Sequence, residues 1–403
     1  MLLMPDDLEN LIKHYLKTSF LKGVNVHKTF NQKDWVYFSK GAKRLSDYFT
    51  EGRGALPKDY FNDPVLRSGY LFYFLPVNLM KMIAVLRQFE PKELVSGQVR
   101  ILDMGCGPAT MSLGFMTHYA ELLKAKKIKD AWLDFTLLDH NFHILKDAKA
   151  LHDAYALKLG NITGFKSACS VKNYDIKRGG LLRFLRKHRY HFIVVSNVLN
   201  EIGDRNKCAD FINQLMSDHL EPRGKLILLE PALKKSSRDL QAIRDYIVVD
   251  KKSGFVHAPC LHQEVCPLNV ANKKDWCHFY FSWERPEMIE KVDRLIGNKK
   301  DFLATSYLVL GKTPREVTFD DFLFRSISNQ MPSNGKREVV LCGPKGRYHL
   351  TRLDKLASNT NRDFEKIRRG DLVCFPVSNT GYLPDAYLDL KSNDAISILK
   401  PNS

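Results

Sequence analysis

The chain has 403 residues, 44% of them hydrophobic and 11% aromatic, and a formal net charge of +17 at pH 7. That length accommodates two or three domains with full-sized cores, and the apolar content excludes a disordered chain. The charge favours a polyanionic partner, nucleic acid first, over an anionic membrane surface, because no strongly amphipathic basic helix stands out.

Residues 1–95 read as mainly helical. LENLIKHYLKTSFL and DPVLRSGYLFYFLPVNLMKMIAVLRQF repeat apolar residues at spacings of three and four, with the turn-forming EGRGALPKD (51–59) between them. No membrane span is expected, since the run at 71–86 is interrupted by Pro76, Asn78 and Lys81. Asp6, Asp7 and Glu9 argue against a signal peptide or an Arg-rich transit peptide. Eight cysteines without a secretory signal suggest reducing conditions, where clustered thiols bind metal.

From Gln98 an alternation begins. QVRILDM leads through GCGPAT into a helix over about 109–126, and WLDFTLLD follows as a second strand. HFIVVSN (191–197) and GKLILLEP (224–231) are further strand-length Val/Ile/Leu runs. Such runs separated by helices predict a parallel sheet covered on both faces, with FYFSWE and ATSYLVLG closing an edge. From Thr313, REVVLCGPKGRYHLTRL and GDLVCFPV are strand–turn–strand patterns. The expected organisation is a helical region at 1–95, an α/β domain at 96–312 carrying a cysteine-rich insertion at 255–280, and a small β module at 313–403.

ILDMGCGPAT places Gly105 and Gly107 at a strand-to-helix turn, where backbone can approach a ligand beside the free N–H groups of a helix start. Thr110 stands where a dinucleotide fingerprint has its third glycine, which disfavours pyrophosphate. Asp103 can hold a donor's amino group directly or through water, and Asp139, ending TLLD, can accept from ribose hydroxyls. This ordered set predicts a class I S-adenosylmethionine-methyltransferase-like (Rossmann-like) sheet, with S-adenosylmethionine as ligand. SNVLNEI puts Ser196, Asn197, Asn200 and Glu201 at the carboxyl end of the sheet, and Asn197 joins the expected donor site. Asn200 and Glu201 read as caps of the next helix. The (D/N)PP(Y/F) motif of amine methylation is absent, and no catalytic residue is assigned.

Residues 172–190 carry seven Lys/Arg (Lys172, Lys177, Arg178, Arg183, Arg186, Lys187, Arg189) against one Asp. They read as phosphate contacts or as a solvated basic face.

Cys260, Cys266 and Cys277 fall within HAPCLHQEVCPLNVANKKDWCHF. Cys342 in VVLCGPKG is the expected fourth ligand, because a following Gly-Pro turn would expose its thiol. Cys374 reads as core, and Cys169 and Cys208 as buried. The close C-x₂₋₄-C pairs of structural zinc are absent, and wider gaps suit a cubane. His257, His262 and His278 keep a Cys₃His zinc site open, so spacing alone leaves a [4Fe–4S] cluster and zinc as alternatives. Pro259-Cys260 also allows a nucleophile toward C6 of cytosine, a role that three clustered thiols fit less well than ligation.

APCLHQEVCPL…DWCHF, following a GxGP core and LLEPA, resembles the methyltransferase-like small-ribosomal-subunit assembly family, the mitochondrial methyltransferase-like factors and their bacterial relatives. The likeness covers about residues 60–375, including LC-x-x-x-G and the later RRGD. It implies a [4Fe–4S] cluster on Cys260, Cys266, Cys277 and Cys342. It also implies association with the small ribosomal subunit and its rRNA in assembly or translation. Two activities are compatible with it: an rRNA methyltransferase, stabilised by the cluster or by zinc, and a non-catalytic rRNA-binding platform with a vestigial donor pocket. Leu261, Cys106 and Arg369 depart from the family's usual proline, alanine and tryptophan, and none of them removes a proposed ligand. Neither a membrane nor an oligomer is expected, and the bacterial cytoplasm is expected over the mitochondrial matrix.

Overall fold

Four short apolar runs form a parallel sheet in the computed structural model of the chain, which describes residues 2–21, 30–50, 56–57, 59–185, 188–271, 273–316, 322–343, 346–376 and 383–400. They belong to the first of two compact units, made of Met1–Phe184, Tyr190–Ser196 and Ser282–Leu303. After the two-residue β1 (Leu2–Leu3) come β2 (Gly97–Met104), β3 (Ala131–Asp139), β4 (Phe165–Asn173) and β5 (Tyr190–Ser196), in the order β5-β2-β3-β4. The chain steps outward from β2 to β4, then returns to the other side of β2. That reversal makes the carboxyl ends of β2 and β5 a topological switch point, where open α/β sheets bind ligands.

The N-terminal segment supplies α1 (Asp6–Phe20), α2 (Gln32–Thr50) and α3 (Pro64–Leu86). Helices α2 and α3 meet backbone to backbone: a Cβ on Gly41 would lie 2.0 Å from the Val65 carbonyl oxygen. Pro76, Asn78 and Lys81 lie within α3, whose helical course the apolar spacing of this segment predicts. A π-helical turn over Tyr70–Phe74 precedes Pro76 and takes up the register where proline lacks an N–H. By length and composition this 23-residue helix could cross a membrane, and 83% of its most apolar stretch is buried within the protein. The crossover helices α4 (Thr110–Lys124) and α5 (Phe142–Leu159) connect β2 to β3 and β3 to β4.

The second unit comprises Leu185–Arg189, Asn197–Phe281 and Ala304–Ser403. In it α6 (Arg205–His219) leads into β6 (Leu220–Glu230), and α7 (Lys234–Asp245) follows. Then come β7 (Phe255–Ala258), β8 (Phe279–Glu284) and β9 (Phe302–Gly311), with β9 antiparallel to both β6 and β7.

The C-terminal part forms a seven-stranded sheet from β10 (Leu323–Ser326), β11 (Met331–Ser333), β12 (Lys336–Gly343), β13 (Gly346–Leu353), β14 (Leu372–Cys374), β15 (Leu383–Asp389) and β16 (Ser397–Lys400). The order is β15-β13-β12-β10-β14-β16, with β11 pairing β12. Strand β12 buries both faces. Val339 and Leu341 join Phe324, Tyr348, Leu350 and Val373 in the core of this sheet. Val340 and Cys342 point the other way, against Cys266, Leu268, Ile327 and Cys277.

Candidate functional site

The first site is the turn after β2. Gly105 and Gly107 have φ of 65° and 52°, in the left-handed region that favours glycine, and Ala109 joins them at 61°. Nothing lies within 4 Å of where a Gly107 Cβ would stand, so the turn borders open space. Its shape is held from both sides. The Gly107 N–H donates to Asp139 Oδ2 (3.1 Å), and the Asn141 N–H donates to Asp139 Oδ1 (3.0 Å). Ser112 donates to Asp103 Oδ2 twice, from its N–H (3.2 Å) and its hydroxyl (2.7 Å). Asp103 Oδ1 is buried without a hydrogen-bond partner. Burial pushes the Asp103 carboxyl up to about 6, against the two Ser112 hydrogen bonds.

The structure therefore brings together Asp103, Gly105, Gly107 and Asp139 as the sequence predicts. It adds Tyr70 of α3, whose hydroxyl is lifted to about 12 by burial, eased by a hydrogen bond to Asn78 and raised further by Asp139 and Asp103. A tyrosine inside an apolar helix carries no sequence signal of such a role. Asn197 directly follows β5 and belongs to the second unit, with left-handed φ of 58° and its N–H on the Leu229 carbonyl (2.9 Å). The capping assignment is corrected: Asp204 caps α6, accepting from the Lys207 N–H (3.0 Å). Gly203, at φ 142°, ends the one-turn helix Leu199–Ile202 that contains Glu201 and moves the cap past it. The Asn200 side chain lies outside the described residues.

The second site is a cleft in the second unit lined by Cys260, Cys266, Cys277 and Cys342, with Gln241, Arg244, His262 and Tyr307 among its walls. The thiols come from the loop after β7, the start of the one-turn helix Pro267–Ala271, the approach to β8, and β12. Burial pushes the Cys266 thiol up to about 12 and holds Cys277 and Cys342 well above the usual thiol range; the neighbouring thiols add to all three shifts. Arginines oppose this. Arg244 is 1% exposed and donates from Nη2 to the His262 carbonyl (2.9 Å) and from Nη1 to Asp245 Oδ1 (2.7 Å). Asp245 Oδ1 also accepts the Cys266 N–H (3.0 Å), and Gln241 Nε2 donates to Cys266 Sγ (3.5 Å). Arg325 ties the Cys260 loop to the sheet, donating to the Pro259 and Gly370 carbonyls (both 2.9 Å).

Of the three candidate histidines, His262 alone lines the cleft, with Nε2 3.8 Å from Cys342 Sγ. His257 bonds the Thr313 carbonyl and His278 lines a different cavity. Among the described residues, three or more ligand atoms all within 4.8 Å of one another occur at His152, Asp153 and Cys169 and not in this cleft. Zn–S bonds of about 2.3 Å require thiolate sulfurs about 3.8 Å apart in a tetrahedron.

Cys374 lies on β14, and Cys208 is buried with its thiol donating to the Leu199 carbonyl (3.2 Å). Cys169, expected to be buried, is half-buried on β4 beside Asp153 (3.9 Å). In the basic segment Lys172, Lys177, Arg178, Arg183 and Arg189 are exposed, while Arg186 and Lys187 lie outside the described residues.

A glycine turn leaving the central strand, with the next strand closed by an acid and the sheet reversing at that point, defines the α/β fold of class I S-adenosylmethionine-dependent methyltransferases. Residues 154–373, more than half of the chain, match the model of the family described as mitochondrial small ribosomal subunit Rsm22, and the chain belongs to that family. The description is mitochondrial, which fits the matrix alternative. Among solved structures the chain is similar to a methyltransferase from Pyrococcus furiosus (TM-score 0.29, 16% identity, covering 57% of this chain and 82% of that one). It is also similar to a SAM-dependent methyltransferase from Methanosarcina mazei (TM-score 0.28, 16% identity, covering 56% and 96%). Among curated proteins it is 22% identical over 247 residues to probable polyketide synthase 6 of Dictyostelium discoideum, matching 57% of this chain and spanning 8% of that protein's length.

Proposed function

We propose that this chain is an S-adenosylmethionine-binding factor of the small ribosomal subunit that carries a [4Fe–4S] cluster on Cys260, Cys266, Cys277 and Cys342 and contacts rRNA. The observation that carries the reading is the convergence of four thiols from distant segments on one cleft. Burial and the neighbouring thiols hold the protons on Cys266, Cys277 and Cys342. Two buried arginines supply part of the compensating charge, and a bound cationic centre supplies the rest. When bound, a cluster provides cross-links that tie the segment 260–277 to β12. Zinc is the second reading, favoured by His262 beside Cys342.

At the glycine turn Asp103 offers a buried, unpartnered carboxylate oxygen to the donor's amino group. Gly107 leaves its backbone open to the ligand, and Asp139, at the end of β3, is placed to accept from ribose hydroxyls. The exposed basic residues of the first unit supply phosphate contacts. Anaerobic purification with iron, sulfide and zinc analysis tests the cluster, and titration with S-adenosylmethionine tests the turn. Stoichiometric zinc without sulfide overturns the cluster. Absence of saturable donor binding at millimolar concentration leaves the fold as an rRNA-binding platform.

A further inference from the structure

We propose that the second unit holds a nucleobase pocket for single-stranded RNA, built on Trp276 and Arg347; this rests on the rRNA-contact reading above. Trp276 and His278 flank Cys277, and their rings stack with centroids 5.3 Å apart and planes 24° from parallel. While Cys277 lines the thiol cleft, its two neighbours line a separate cavity of about 850 Å³. About 400 Å³ of it admits solvent-sized groups, and small-molecule sites occupy roughly 300–1,000 Å³, so one nucleotide is accommodated. Leu268, Ile327 and Val340 give the cavity apolar walls, and Met331 (41% exposed) stands at its rim.

The polar groups around it are arranged as donors and acceptors. Arg347, 4% exposed, is held by Asp275 through Nη2 (3.0 Å), with Asp385 3.6 Å from its Nε, and its Nη1 is buried without a hydrogen-bond partner. The indole Nε1 of Trp276 is likewise buried and unpartnered. Buried donors without acceptors are rare and costly, and a ligand carrying carbonyl or ring-nitrogen acceptors satisfies them. Glu338, oriented by His349 Nδ1 (3.1 Å), and Asp275 provide carboxylate acceptors for an exocyclic amine. The lining therefore has no large charge surplus. It suits a planar ligand with both donor and acceptor edges better than a bare phosphate. Single-stranded RNA presents unstacked bases of this kind to aromatic faces, and the net charge of +17 draws in its backbone.

The test uses the full chain, purified anaerobically, and a fluorescently labelled ten-nucleotide single-stranded RNA of mixed sequence, followed by anisotropy. Trp276→Leu should weaken binding about 10-fold, the size of one lost base stack, with the salt slope and the iron and sulfide content unchanged. Trp276→Phe should retain the stacking part of binding and lose less affinity than Trp276→Leu. Because Trp276 adjoins a proposed ligand, Met331→Glu at the rim provides a second variant remote in sequence from the thiols, and it too should weaken binding. Wild-type affinity in both Trp276→Leu and Met331→Glu overturns the pocket and leaves the rRNA reading standing. No RNA binding by the unsubstituted protein defeats that reading itself, and the pocket with it. Protection of Trp276 from acrylamide quenching by a peptide and not by RNA makes the cavity a protein-docking site and overturns the proposal.

Discussion

The glycine turn and the thiol cleft reach a binding site by opposite routes. At the turn, residues within one contiguous stretch, together with an acid at the end of the next strand, set the backbone in place through hydrogen bonds to Asp139 and Asp103, leaving Asp103 Oδ1 unpartnered. At the cleft, four thiols from separated segments meet, and burial resists ionisation of Cys266, Cys277 and Cys342. On the proposed reading, a preorganised turn should tolerate an absent ligand, whereas the thiol cleft should depend on one. The comparison teaches that the two sites should respond differently to substitution.

The largest effect is expected at the cleft. Cys266→Ser should abolish bound metal and remove most of the soluble protein, read by metal analysis and soluble yield, because binding there is coupled to folding. A metal-free protein of full stability would erase the contrast. Next comes Gly107→Val. A β-branched residue in the left-handed region costs about 1–3 kcal/mol, so the protein should fold with a modestly lowered melting temperature while calorimetric titration shows no donor binding. Loss of folding here would mean that the turn, too, is structural.

A pH effect sharpens the comparison at the turn. With Asp103 raised to about 6 by burial, donor affinity should fall as pH is lowered through about 6, since the protonated carboxyl no longer accepts from the donor's amino group. Asp103→Asn should flatten that profile. The stability contribution of Asp103 runs in the opposite sense. Its folded pKa lies above its unfolded value near 3.8, so the folded state holds the extra proton in that window and stability declines as pH rises through it.

The smallest effect is expected outside both sites. Reversing Lys172, Arg178 and Arg183 should weaken RNA binding across sequences and flatten its salt slope by about 0.7 per phosphate lost, with metal content unchanged. An unchanged slope makes these exposed residues a solvated face.

The difference also explains what could be read from the sequence. ILDMGCGPAT announces the turn because its constraints are local: glycines where φ is positive, an acid where a strand ends. The four thiols were legible by residue type, since buried clustered cysteines in a chain of this kind have few uses. Their surroundings were not. SSRDLQAIRDY reads as an ordinary amphipathic helix, and nothing in it announces that Gln241, Arg244 and Asp245 face the cysteines. Tyr70 was hidden for the same reason, as one aromatic among many in α3. The α6 cap was misassigned because Gly203 shifts the helix start to Asp204. The π turn before Pro76 carries no signal in the apolar spacing that announces the helix.

One feature of β12 reaches beyond chemistry. Side chains alternate strictly along a strand, so Cys342 faces Cys266 and Cys277 only while Leu341 faces the sheet's own core. The pairing of Arg325 with Cys342 on one side and of Cys342 with Arg347 on the other maintains that phase. A slip by a single residue would swing the thiol into the hydrocarbon interior and send a leucine toward the other three cysteines. If the cleft binds a metal centre as proposed, capture of the fourth sulfur would proofread the alignment of the hairpin: a misthreaded chain would present three ligands and a correctly threaded one four.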